Sequence, residues 1–446
     1  MMDFGKSDHP GVQAQLDRLS ALSVPQGRLG LETIRALMER LGNPHRKLPP
    51  VFHVAGTNGK GSVCAFLRAM LEADGKRVHV TTSPHLVRYN ERIRIAGKLI
   101  SDEALVPLLE EVLDAGEDLA PSFFEVTIAA AFLAFSRTPA DACVVEVGLG
   151  GRFDATNVLE PEALAACGIA ALGLDHERFL LAPEDGVPTE PMARIAFEKA
   201  WIAKKGVPLV TLENGPLADD QIAKSAKAAG ATLRAYRGSW YVDPEFFSHY
   251  EDHFGTGNVL SMHFLDDETE LRLPPPSMKG VHQYYNAALA AAMLRAQTRV
   301  RISAEAIYEG ILTARWPARM QCLSGGPLTV LVSDQTIWLD GGHNPSAGEQ
   351  IAAFFDEPIH LVLGMLANKN PGALLDPLGG RVLSLTIVPV PDHDCHPSEA
   401  FGPDARAASD LEEALLKIPS DGRPILIAGS LYLAGEALRL NDEIPD

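Results

Sequence analysis

A glycine-rich segment near residue 56 carries the residues best suited to phosphate chemistry. It reads His53-Val54-Ala55-Gly56-Thr57-Asn58-Gly59-Lys60-Gly61-Ser62. Its glycines permit positive φ angles and let the backbone approach a phosphate closely, while Lys60 supplies a point charge. Gly61 separates this lysine from Ser62, whereas the usual P-loop pattern places Ser or Thr directly after the lysine. The segment predicts a nucleotide phosphate site made by residues 56–62.

The elements on either side of this segment support that interpretation. Residues 51–55 form an apolar run typical of a buried strand, and residues 63–73 have the spacing and composition of a helix. The N-terminus of such a helix offers free N–H groups and a partial positive charge to an anion. A purely structural turn is the alternative for any glycine-rich loop, but strand, glycines, lysine, serine and helix in succession favour phosphate binding.

Composition excludes several other classes of protein. The chain has 446 residues, of which 46% are hydrophobic, and this suits two or three domains with filled cores. Its net charge of −19 disfavours a nucleic-acid partner, and its longest apolar stretch, residues 163–174, is too short to cross a membrane. The acidic N-terminus lacks the apolar core of a signal peptide, and the five scattered cysteines fit a reducing compartment. We therefore expect a cytoplasmic, monomeric enzyme that acts on small molecules, without nucleic-acid or membrane partners.

Strand and helix patterns alternate in both halves of the chain, which favours a doubly wound α/β architecture. The pattern predicts strands at residues 51–55, 78–82, 142–147, 209–211, 331–339, 360–363, 382–388 and 425–428. A helix is predicted at residues 282–295, and we place the domain boundary after residue 299. The segments predicted to be irregular are residues 180–191, 245–256 and 274–276.

Further short motifs follow the glycine-rich segment along the chain. They are Thr82-Ser83-Pro84-His85-Leu86, Asn90-Glu91-Arg92-Ile93, Phe124-Glu125, Glu146-Val147-Gly148-Leu149-Gly150-Gly151-Arg152, Asp154-Ala155-Thr156-Asn157, Asp175-His176, Glu198-Lys199-Ala200, His282-Gln283, Asn286-Ala287, Trp316-Pro317, Asp340-Gly341-Gly342-His343-Asn344-Pro345, Gly364-Met365 and Gly429-Ser430-Leu431-Tyr432. This series resembles the Mur-ligase superfamily, specifically its folate branch of dihydrofolate and folylpolyglutamate synthases. The resemblance implies an N-terminal P-loop-type ATPase domain with a mainly parallel sheet, residues 1–299, followed by a smaller Rossmann-like α/β C-terminal domain, residues 300–446.

The same resemblance implies that ATP and Mg²⁺ bind, with two metal ions and with Ser83, Glu146 and His176 as protein ligands. Mg²⁺ prefers oxygen ligands, which Ser83 and Glu146 provide. Taken from the residues alone, Glu146 ends an apolar run typical of a buried strand, where a carboxylate requires either a cation or an internal arginine. Without the resemblance, Ser83 would be a turn serine and His176 a loop residue.

Lys199 has two contrasting interpretations. The spacing in residues 194–200 is that of a helix, on which a lysine is by default a solvated charge. The resemblance instead implies a lysine that reacts with CO₂ to form a carbamate near Mg²⁺, and this reaction requires a neutral amine with a depressed pKa. Trp201 stands where the family usually has glycine, and residues 182–191 expand a link that is short in the family.

The resemblance also implies the remaining site residues. Asn286, Arg319 and Asp340 would bind ATP, with the forked guanidinium of Arg319 on a phosphate, and His343 would lie near the transferred phosphate. Aromatic side chains that can stack on a flat heterocycle occur among the positions that match the family's pterin site. Those positions are Ser122, Phe123, Phe124, Glu125 and Phe153. From the residues alone, residues 340–345 would be a turn and these phenylalanines ordinary core.

Together the residues predict ATP-dependent amide-bond formation through an acyl phosphate, with Lys60, Lys199 and His343 in catalytic roles. The predicted products are dihydrofolate, from dihydropteroate and L-glutamate, and folylpolyglutamates, from reduced folates and L-glutamate. Three alternatives stay open. The chain could be a folylpolyglutamate synthase only, another Mur-type amide ligase, or a non-catalytic ATP-binding protein. A cell-wall Mur ligase would normally place a UDP-binding domain before the P-loop, which here begins after about fifty residues.

Overall fold

A mainly parallel sheet of eight strands forms the centre of the first part of the computed structural model, which describes residues 6–22, 30–243, 250–251, 258–259 and 261–446. Its strands are β1 (Val51–Ala55), β2 (Val78–Thr81), β3 (Ile93–Ile95), β4 (Lys98–Leu99), β5 (Ala142–Glu146), β6 (Leu164–Ile169), β7 (Pro208–Thr211) and β8 (Thr232–Ala235). Their spatial order is β4-β3-β2-β5-β1-β6-β7-β8. At one edge β3 pairs antiparallel with both β2 and β4, and the other neighbours pair in parallel. The predicted α/β class with a mainly parallel sheet is confirmed.

The apolar runs explain the middle of this sheet. Every residue of β1, β5 and β6 is buried, as expected for strands of a parallel sheet that helices cover on both faces. The helices of this part of the chain are α1 (Pro10–Leu22), α2 (Glu32–Arg40), α3 (Lys60–Ala73), α4 (Asp102–Gly116), α5 (Phe123–Arg137), α6 (Glu177–Leu180), α7 (Pro191–Ala200), α8 (Pro216–Ala229), α9 (His282–Arg295) and α10 (Ala304–Thr313). Short 3₁₀ helices span Pro44–Arg46, Tyr89–Arg92, Glu117–Leu119 and Ala155–Val158. Helix α9 has the bounds that the sequence predicts.

Antiparallel strands after β8 were not anticipated from the sequence. They form a three-stranded sheet of β9 (Trp240–Asp243), β12 (Met262–Asp266) and β13 (Glu270–Leu273), and a pair of β10 (Tyr250–Glu251) with β11 (Asn258–Val259). In β9 and β12 buried and less buried residues alternate, so each strand presents only two or three residues to the core. That signal is too short to separate a strand from a loop. The segment 245–256, predicted to be irregular, lies mostly outside the described residues.

A six-stranded sheet organises the last part of the chain. Its strands are β14 (Gln321–Cys322), β15 (Ile337–Leu339), β16 (Ile359–Leu363), β17 (Val382–Ile387), β18 (Ala405–Ala407) and β19 (Ile425–Ala428), in the order β14-β15-β19-β16-β17-β18. Apart from the antiparallel pair of β14 and β15, neighbouring strands are parallel. The accompanying helices are α11 (Pro327–Val330), α12 (Pro345–Phe354), α13 (Gly372–Leu378), α14 (Leu411–Leu416) and α15 (Leu431–Leu440), with 3₁₀ turns at Gly379–Arg381 and Ser398–Phe401. Separate apolar clusters pack around Val362 and Ile427 on the one hand and around Leu361 and Leu426 on the other.

The predicted strand at residues 331–339 is largely wrong. Its first residues follow α11, and only Ile337–Leu339 form a strand. Pro327 occupies the first turn of α11, a position where its missing N–H costs nothing, and the Thr329 hydroxyl oxygen accepts a hydrogen bond from Gly326 N at 2.8 Å. Leu331 and Val332 belong to the turn that follows α11, so the apolar residues on either side of Ser333-Asp334-Gln335 do not form one strand.

The chain divides into two compact units. The first comprises the described residues within 1–84, 88–277 and 283–315, and the second comprises those within 85–87, 278–282 and 316–446. The division therefore follows α10, whereas the sequence suggested a boundary after residue 299. Helix α10 packs closely on α3, because a Cβ added at Gly310 would lie 2.4 Å from the Cα of Met70. None of the helices in the described ranges is long and apolar enough to cross a membrane.

Candidate active site

The glycine-rich segment connects β1 to α3 and is fastened to the chain that follows β6. Thr57 N and Asn58 N both donate to Ala171 O, at 2.9 and 3.1 Å. The Thr57 hydroxyl donates to Gly173 O at 3.0 Å, and Lys60 Nζ donates to Thr57 O at 3.3 Å. Helix α3 begins at Lys60, so its first N–H groups lie at this loop. The predicted residues 56–62 thus form one loop at a helix N-terminus, with the arrangement that a phosphate site requires.

Helix α9 supports this loop from the side. Gly59 has φ +83°, and a Cβ added there would lie only 2.5 Å from Asn286 Oδ1. Asn286 Nδ2 donates to Gln283 Oε1 at 3.0 Å, and Gln283 Nε2 donates to the buried Ser62 hydroxyl at 3.3 Å. The predicted nucleotide contact Asn286 therefore lies at the phosphate loop. Sequence analysis missed Gln283, although its spacing of three residues from Asn286 places both on one face of a helix.

Ser83 and Glu146 lie beside each other at the ends of neighbouring parallel strands. Strand β2 pairs with β5, and Ser83 N donates to Glu146 Oε2 at 3.1 Å. Glu146 is only 5% exposed, so its carboxylate and the adjacent serine place hard oxygen donors at the carboxyl edge of the sheet. These two residues fit the oxygen preference of Mg²⁺.

His176 is positioned by a separate loop. It has φ +53° directly before α6, and its backbone N–H donates to Asp175 Oδ1 at 2.8 Å. Its ring atom Nε2 lies 3.8 Å from Asp175 Oδ2. Within the described residues, no group of three or more His, Cys, Asp or Glu side chains has a metal-binding arrangement. The predicted ligand set contains only two side chains of these types, Glu146 and His176.

Lys199 is buried inside the first unit rather than solvated. It is 4% exposed on α7, and burial lowers the pKa of its amine to about 7. The charge of Lys60 contributes to this lowering of the pKa, while Asp175, Asp154 and Glu198 partly oppose it. An amine with such a pKa is substantially neutral near pH 7, which an ordinary lysine is not. The solvated lysine expected from helical spacing alone is therefore wrong.

Electrostatic effects on a neighbouring thiol connect the phosphate loop with Glu146. Burial raises the pKa of Cys64 well above its ordinary value, Glu146 raises it further, and Lys60 lowers it. Because Lys60 also affects the pKa of Lys199, the loop lysine lies within electrostatic range of both groups. Lys60, Glu146, Lys199 and Asp175 thus belong to one charged region of the first unit.

Asp154 is a further buried acid in this region, and it was not among the predicted site residues. Its oxygen Oδ2 accepts from Leu149 N at 2.8 Å, and Oδ1 accepts from Thr156 N at 3.0 Å and from the Thr156 hydroxyl. Burial raises its pKa despite these hydrogen bonds. The Thr156 hydroxyl also lies 2.8 Å from His53 Nε2, on the strand that leads into the phosphate loop. The only sequence signal was its place in the Asp154–Asn157 motif.

The five positions expected to bind a pterin have different environments. Ser122 and Glu125 form a capping box at the start of α5, with Ser122 N donating to Glu125 Oε2 at 2.8 Å and Glu125 N donating to Ser122 Oγ at 3.2 Å. Phe123 is buried, with the Arg92 guanidinium 5.3 Å from its ring centre. The remaining two rings are partly exposed. Phe124 covers Gly148, where an added Cβ would lie 2.5 Å from its ring, and Phe153 stacks on the Arg152 guanidinium at 4.2 Å.

The second unit collects Arg319, Asp340 and His343 around the loop after β15. Asp340 Oδ2 accepts from Met320 N at 2.9 Å, and Oδ1 accepts from Gly342 N at 2.7 Å. Arg319 Nη1 donates to Ala318 O at 2.9 Å, beside Gly341, where an added Cβ would lie 2.9 Å from this nitrogen. The His343 atom Nδ1 lies 3.2 Å from Gly341 O, within hydrogen-bond distance of this carbonyl. The structure brings the three predicted residues to one loop.

The loop also has a plain structural role that the sequence indicated. Asn344 accepts from Ala347 N at 2.9 Å as the N-cap of α12, and Pro345 occupies the first turn of that helix. His282 lies nearby, with Nδ1 3.2 Å from Gln350 Oε1. Burial lowers the pKa of His282, Asp340 raises it and Arg319 lowers it. The loop after β15 therefore forms the start of α12 and also contributes to a cluster of charged groups in the second unit.

Comparison with known proteins connects these residues to a chemistry. No model of a protein family matches the chain. A relative from Bacillus subtilis (strain 168) named dihydrofolate synthase/folylpolyglutamate synthase is 36% identical over 355 residues, which are 76% of each chain. The structure of E. coli FolC in complex with DHPP and ADP has a TM-score of 0.81 and 28% identity, and the match covers 97% of each chain.

A second solved structure is a bifunctional folylpolyglutamate synthase/dihydrofolate synthase with Mn, AMPPNP and L-glutamate bound. Its TM-score is 0.79 and its identity is 29%, with 96% of this chain and 97% of that chain covered. The similarity therefore includes both units and is not restricted to the phosphate loop.

Proposed function

The chain belongs to the dihydrofolate synthase/folylpolyglutamate synthase family, and from that premise we propose that it joins L-glutamate to dihydropteroate and to reduced folates with ATP as the source of energy. The observation that carries the proposal is the buried charged region of the first unit. This region contains the phosphate loop with Lys60, the carboxylate of Glu146 and the amine of Lys199, whose lowered pKa favours the neutral form. The ligase mechanism proposed here uses all three groups, whereas a protein that only binds ATP has no use for Lys199.

The phosphate loop binds the triphosphate of ATP in this proposal. The first N–H groups of α3, which begins at Lys60, face the phosphates, and Lys60 exchanges its hydrogen bond with Thr57 O for a phosphate oxygen. Asn286 contacts the nucleotide from α9. In the second unit, Arg319 offers a forked donor to phosphate, Asp340 accepts from ribose hydroxyls, and His343 lies near the transferred phosphate.

The metal ions that accompany ATP, two in our proposal, are held by Ser83, Glu146 and His176. Mg²⁺ bound there supplies charge neutralisation for the phosphates. The hydrogen bond from Ser83 N to Glu146 Oε2 keeps the carboxylate in place when its charge is needed. Glu146 is buried, and a bound cation would offset the cost of keeping its carboxylate charged there.

Lys199 is proposed to carry a carbamate. Its neutral amine attacks CO₂, a C–N bond forms as a C=O π bond opens onto oxygen, and one proton leaves to solvent, so that a neutral amine becomes an anionic carbamate. The pKa of about 7 supports this step because the reactive amine is then abundant at neutral pH. The new carboxylate contributes negative charge beside the metal-binding residues.

The reaction then proceeds in two steps. A carboxylate oxygen of the acceptor attacks the γ-phosphorus of ATP, the bond to the β–γ bridging oxygen breaks, and an acyl phosphate and ADP result. The amine of L-glutamate attacks the acyl carbon, loses a proton, and expels phosphate to leave an amide. Lys60 and Arg319 spread the negative charge that develops on the transferred phosphoryl group.

The acceptor is proposed to bind near the start of α5. Phe124 and Phe153 are the two partly exposed rings of the predicted set and can stack on a pterin. Ser122 and Glu125 hold the helix start in position through their capping box, and Phe123 fixes it to the core. We propose that the enzyme acts as a monomer in the cytoplasm, which sedimentation of the purified protein would test for the oligomeric state.

The test of this function is ADP release by the purified protein with L-glutamate and either dihydropteroate or tetrahydrofolate. We expect glutamate-dependent ADP release with both acceptors. Release with tetrahydrofolate alone would identify a folylpolyglutamate synthase only. Release with neither acceptor, by a protein that still binds ATP, would favour another Mur-type ligase or a non-catalytic ATP-binding protein.

A further inference from the structure

Four charged side chains form a group beside Lys199, and one of them, Glu184, belongs to residues 182–191, the segment that is expanded relative to the family pattern. The Glu184 carboxylate accepts from Arg152 Nη1 at 2.9 Å, from Arg152 Nη2, and from Arg194 Nη2 at 2.8 Å. The Glu198 carboxylate accepts from Arg152 Nε at 3.1 Å and Nη2 at 2.9 Å, and it lies 3.0 Å from Arg194 Nη2. Two guanidinium groups therefore join an inserted acid to the residue that precedes Lys199.

The loop that contains Arg152 also contacts the main chain around Lys199. Arg152 N donates to Glu198 O at 2.7 Å, and Asn157 Nδ2 donates to Trp201 O at 3.2 Å. A Cβ added at Gly151 would lie 2.9 Å from the carbonyl oxygen of Lys199. The end of α7 is thus held by both side-chain and main-chain contacts from residues 151–157.

The inserted segment also controls the beginning of the same helix. Glu190 is the N-cap of α7, since its Oε2 accepts from Ala193 N at 2.7 Å, and Pro191 is the first helical residue. Adjacent residues of a helix point about 100° apart, so fixing Glu198 also fixes the direction of Lys199. Glu184 is 41% exposed, whereas Arg194 and Glu198 are each 6% exposed, and the segment reaches these buried groups from the surface.

We propose that Glu184 and Arg152 are positioning residues for Lys199. In this proposal the inserted segment holds α7 in the orientation that directs the lysine side chain into the charged region. This inference rests on the proposed function, because it assumes that Lys199 works as a carbamate. Neither residue needs to touch the substrate. Their effect is transmitted through Glu198 and the rotation of α7.

For Glu184→Gln, a simple charge effect and a loss of positioning predict opposite changes in the stability of the carbamate, which makes the inference testable. Glu184→Gln removes a negative charge from the group that contains Glu198, and a simple charge effect would favour an anionic carbamate on Lys199. Loss of positioning would instead make carbamate formation less favourable. Arg152→Gln weakens the carbamate under both views, so Glu184→Gln is the variant that discriminates. Asp185→Asn removes an exposed acid from the same segment and is the matched control.

The experiment measures ADP release in degassed buffer to which bicarbonate is added back, for wild type, Glu184→Gln, Arg152→Gln, the double variant and Asp185→Asn. We expect the bicarbonate concentration for half-maximal activity to rise ~10-fold in both single variants, as for supporting residues of other metal sites. High bicarbonate should restore most turnover. The double variant should show much less than the product of the single effects, because both substitutions break one contact. Asp185→Asn should behave as wild type.

Carbon-13 NMR in labelled bicarbonate gives a readout that does not depend on activity. A lysine carbamate signal should appear in wild type at lower bicarbonate than in Glu184→Gln, and thermal unfolding shows whether each variant is folded. If wild type responds to bicarbonate and both single variants respond identically to it, the positioning role is contradicted and the proposed function stands. Wild-type turnover that ignores bicarbonate, without a carbamate signal, would overturn the carbamate and this inference together.

Discussion

The phosphate loop and the surroundings of Lys199 are built in different ways. The loop is one continuous segment, and its shape follows from its glycines, the N-terminus of α3 and hydrogen bonds to residues 171 and 173. Lys199 is surrounded by groups from distant parts of the chain, including Lys60, Asp154 and Asp175. The phosphate-binding groups of the loop are therefore all specified by one short stretch of sequence. The lowered pKa of the buried amine depends on residues that the fold brings together, so its function depends on more residues.

Loss of the loop charge should give the largest effect. We expect Lys60→Ala to lower ADP release by ~10³-fold, since one preorganised donor to developing charge is worth about that much. Its thermal unfolding should change little, because the side chain contributes one long hydrogen bond to Thr57 O. Lys224→Ala, on the exposed side of α8, is the control. Wild-type ADP release by Lys60→Ala would contradict the phosphate-loop assignment.

The buried amine should also have a measurable effect on stability that depends on pH. The pKa of Lys199 falls from 10.5 to about 7 on folding, so the folded protein binds fewer protons between these values. The penalty of burying the charge is fully present below about pH 7 and disappears as the pH rises towards 10.5. Lys199→Met should therefore stabilise the protein by on the order of 4 kcal/mol at pH 6 and progressively less towards pH 10. Urea unfolding at several pH values measures this, and a difference that does not vary with pH would be evidence against a depressed pKa.

Lys199→Ala should lower activity by ~10²-fold, as loss of a group that supports a metal site does. A short carboxylic acid such as acetate should restore part of the activity, because it can place an anion in the vacated space. Acetate should not rescue Lys60→Ala, which lacks a cation instead. Equal effects of acetate on both variants, or full activity of Lys199→Ala, would show that the two regions do not differ as described.

Glu146→Gln tests the link between the two regions. The amide keeps the shape of the side chain but loses the charge that holds the metal, so we expect the Mg²⁺ concentration for half-maximal activity to rise ~10- to 100-fold. The exposed Glu162→Gln is the control. Unchanged Mg²⁺ dependence would return Glu146 to a structural role in β5.

The smallest effect should come from support of the loop by α9. Asn286→Ala removes the side chain that lies against Gly59, and we expect the KM for ATP to rise by ~5-fold with little change in kcat, consistent with loss of about 1 kcal/mol. Steady-state kinetics with varied ATP measure this. A fall in kcat alone would mean that Asn286 serves the chemical step rather than nucleotide binding.

The same contrast explains what could be predicted from the sequence. The phosphate loop and α9 were predictable because a motif and a 3.6-residue period are local signals, and the bounds of α9 agree with the prediction. The proximity of Ser83 and Glu146 was expected only through the family resemblance, since strand order brings them together. Nothing in the helical spacing around Lys199 distinguishes a buried lysine from an exposed one, because the burying groups lie elsewhere in the chain.

The inserted segment, residues 182–191, shows most clearly what could not be predicted from the sequence. The sequence predicted only an irregular segment at residues 180–191, whereas Glu184 joins Arg152 and Arg194, and Glu190 caps α7. The failed strand at residues 331–339 has a different cause, because a turn at residues 331–335 joins α11 to the short strand β15 and carries apolar residues of its own. Local sequence patterns do not predict ion pairs between residues that are distant in the sequence, and they do not predict very short helices and strands.

The most direct test of the central claim follows an oxygen atom. If the acceptor carboxylate is activated as an acyl phosphate, dihydropteroate labelled with oxygen-18 in its carboxylate should transfer one labelled oxygen to each phosphate released with dihydrofolate. Mass spectrometry of the phosphate measures this transfer. We expect one oxygen-18 per phosphate in the complete reaction with ATP and L-glutamate. Unlabelled phosphate released together with the amide product would contradict the mechanism, because the acceptor carboxylate would then never have been phosphorylated.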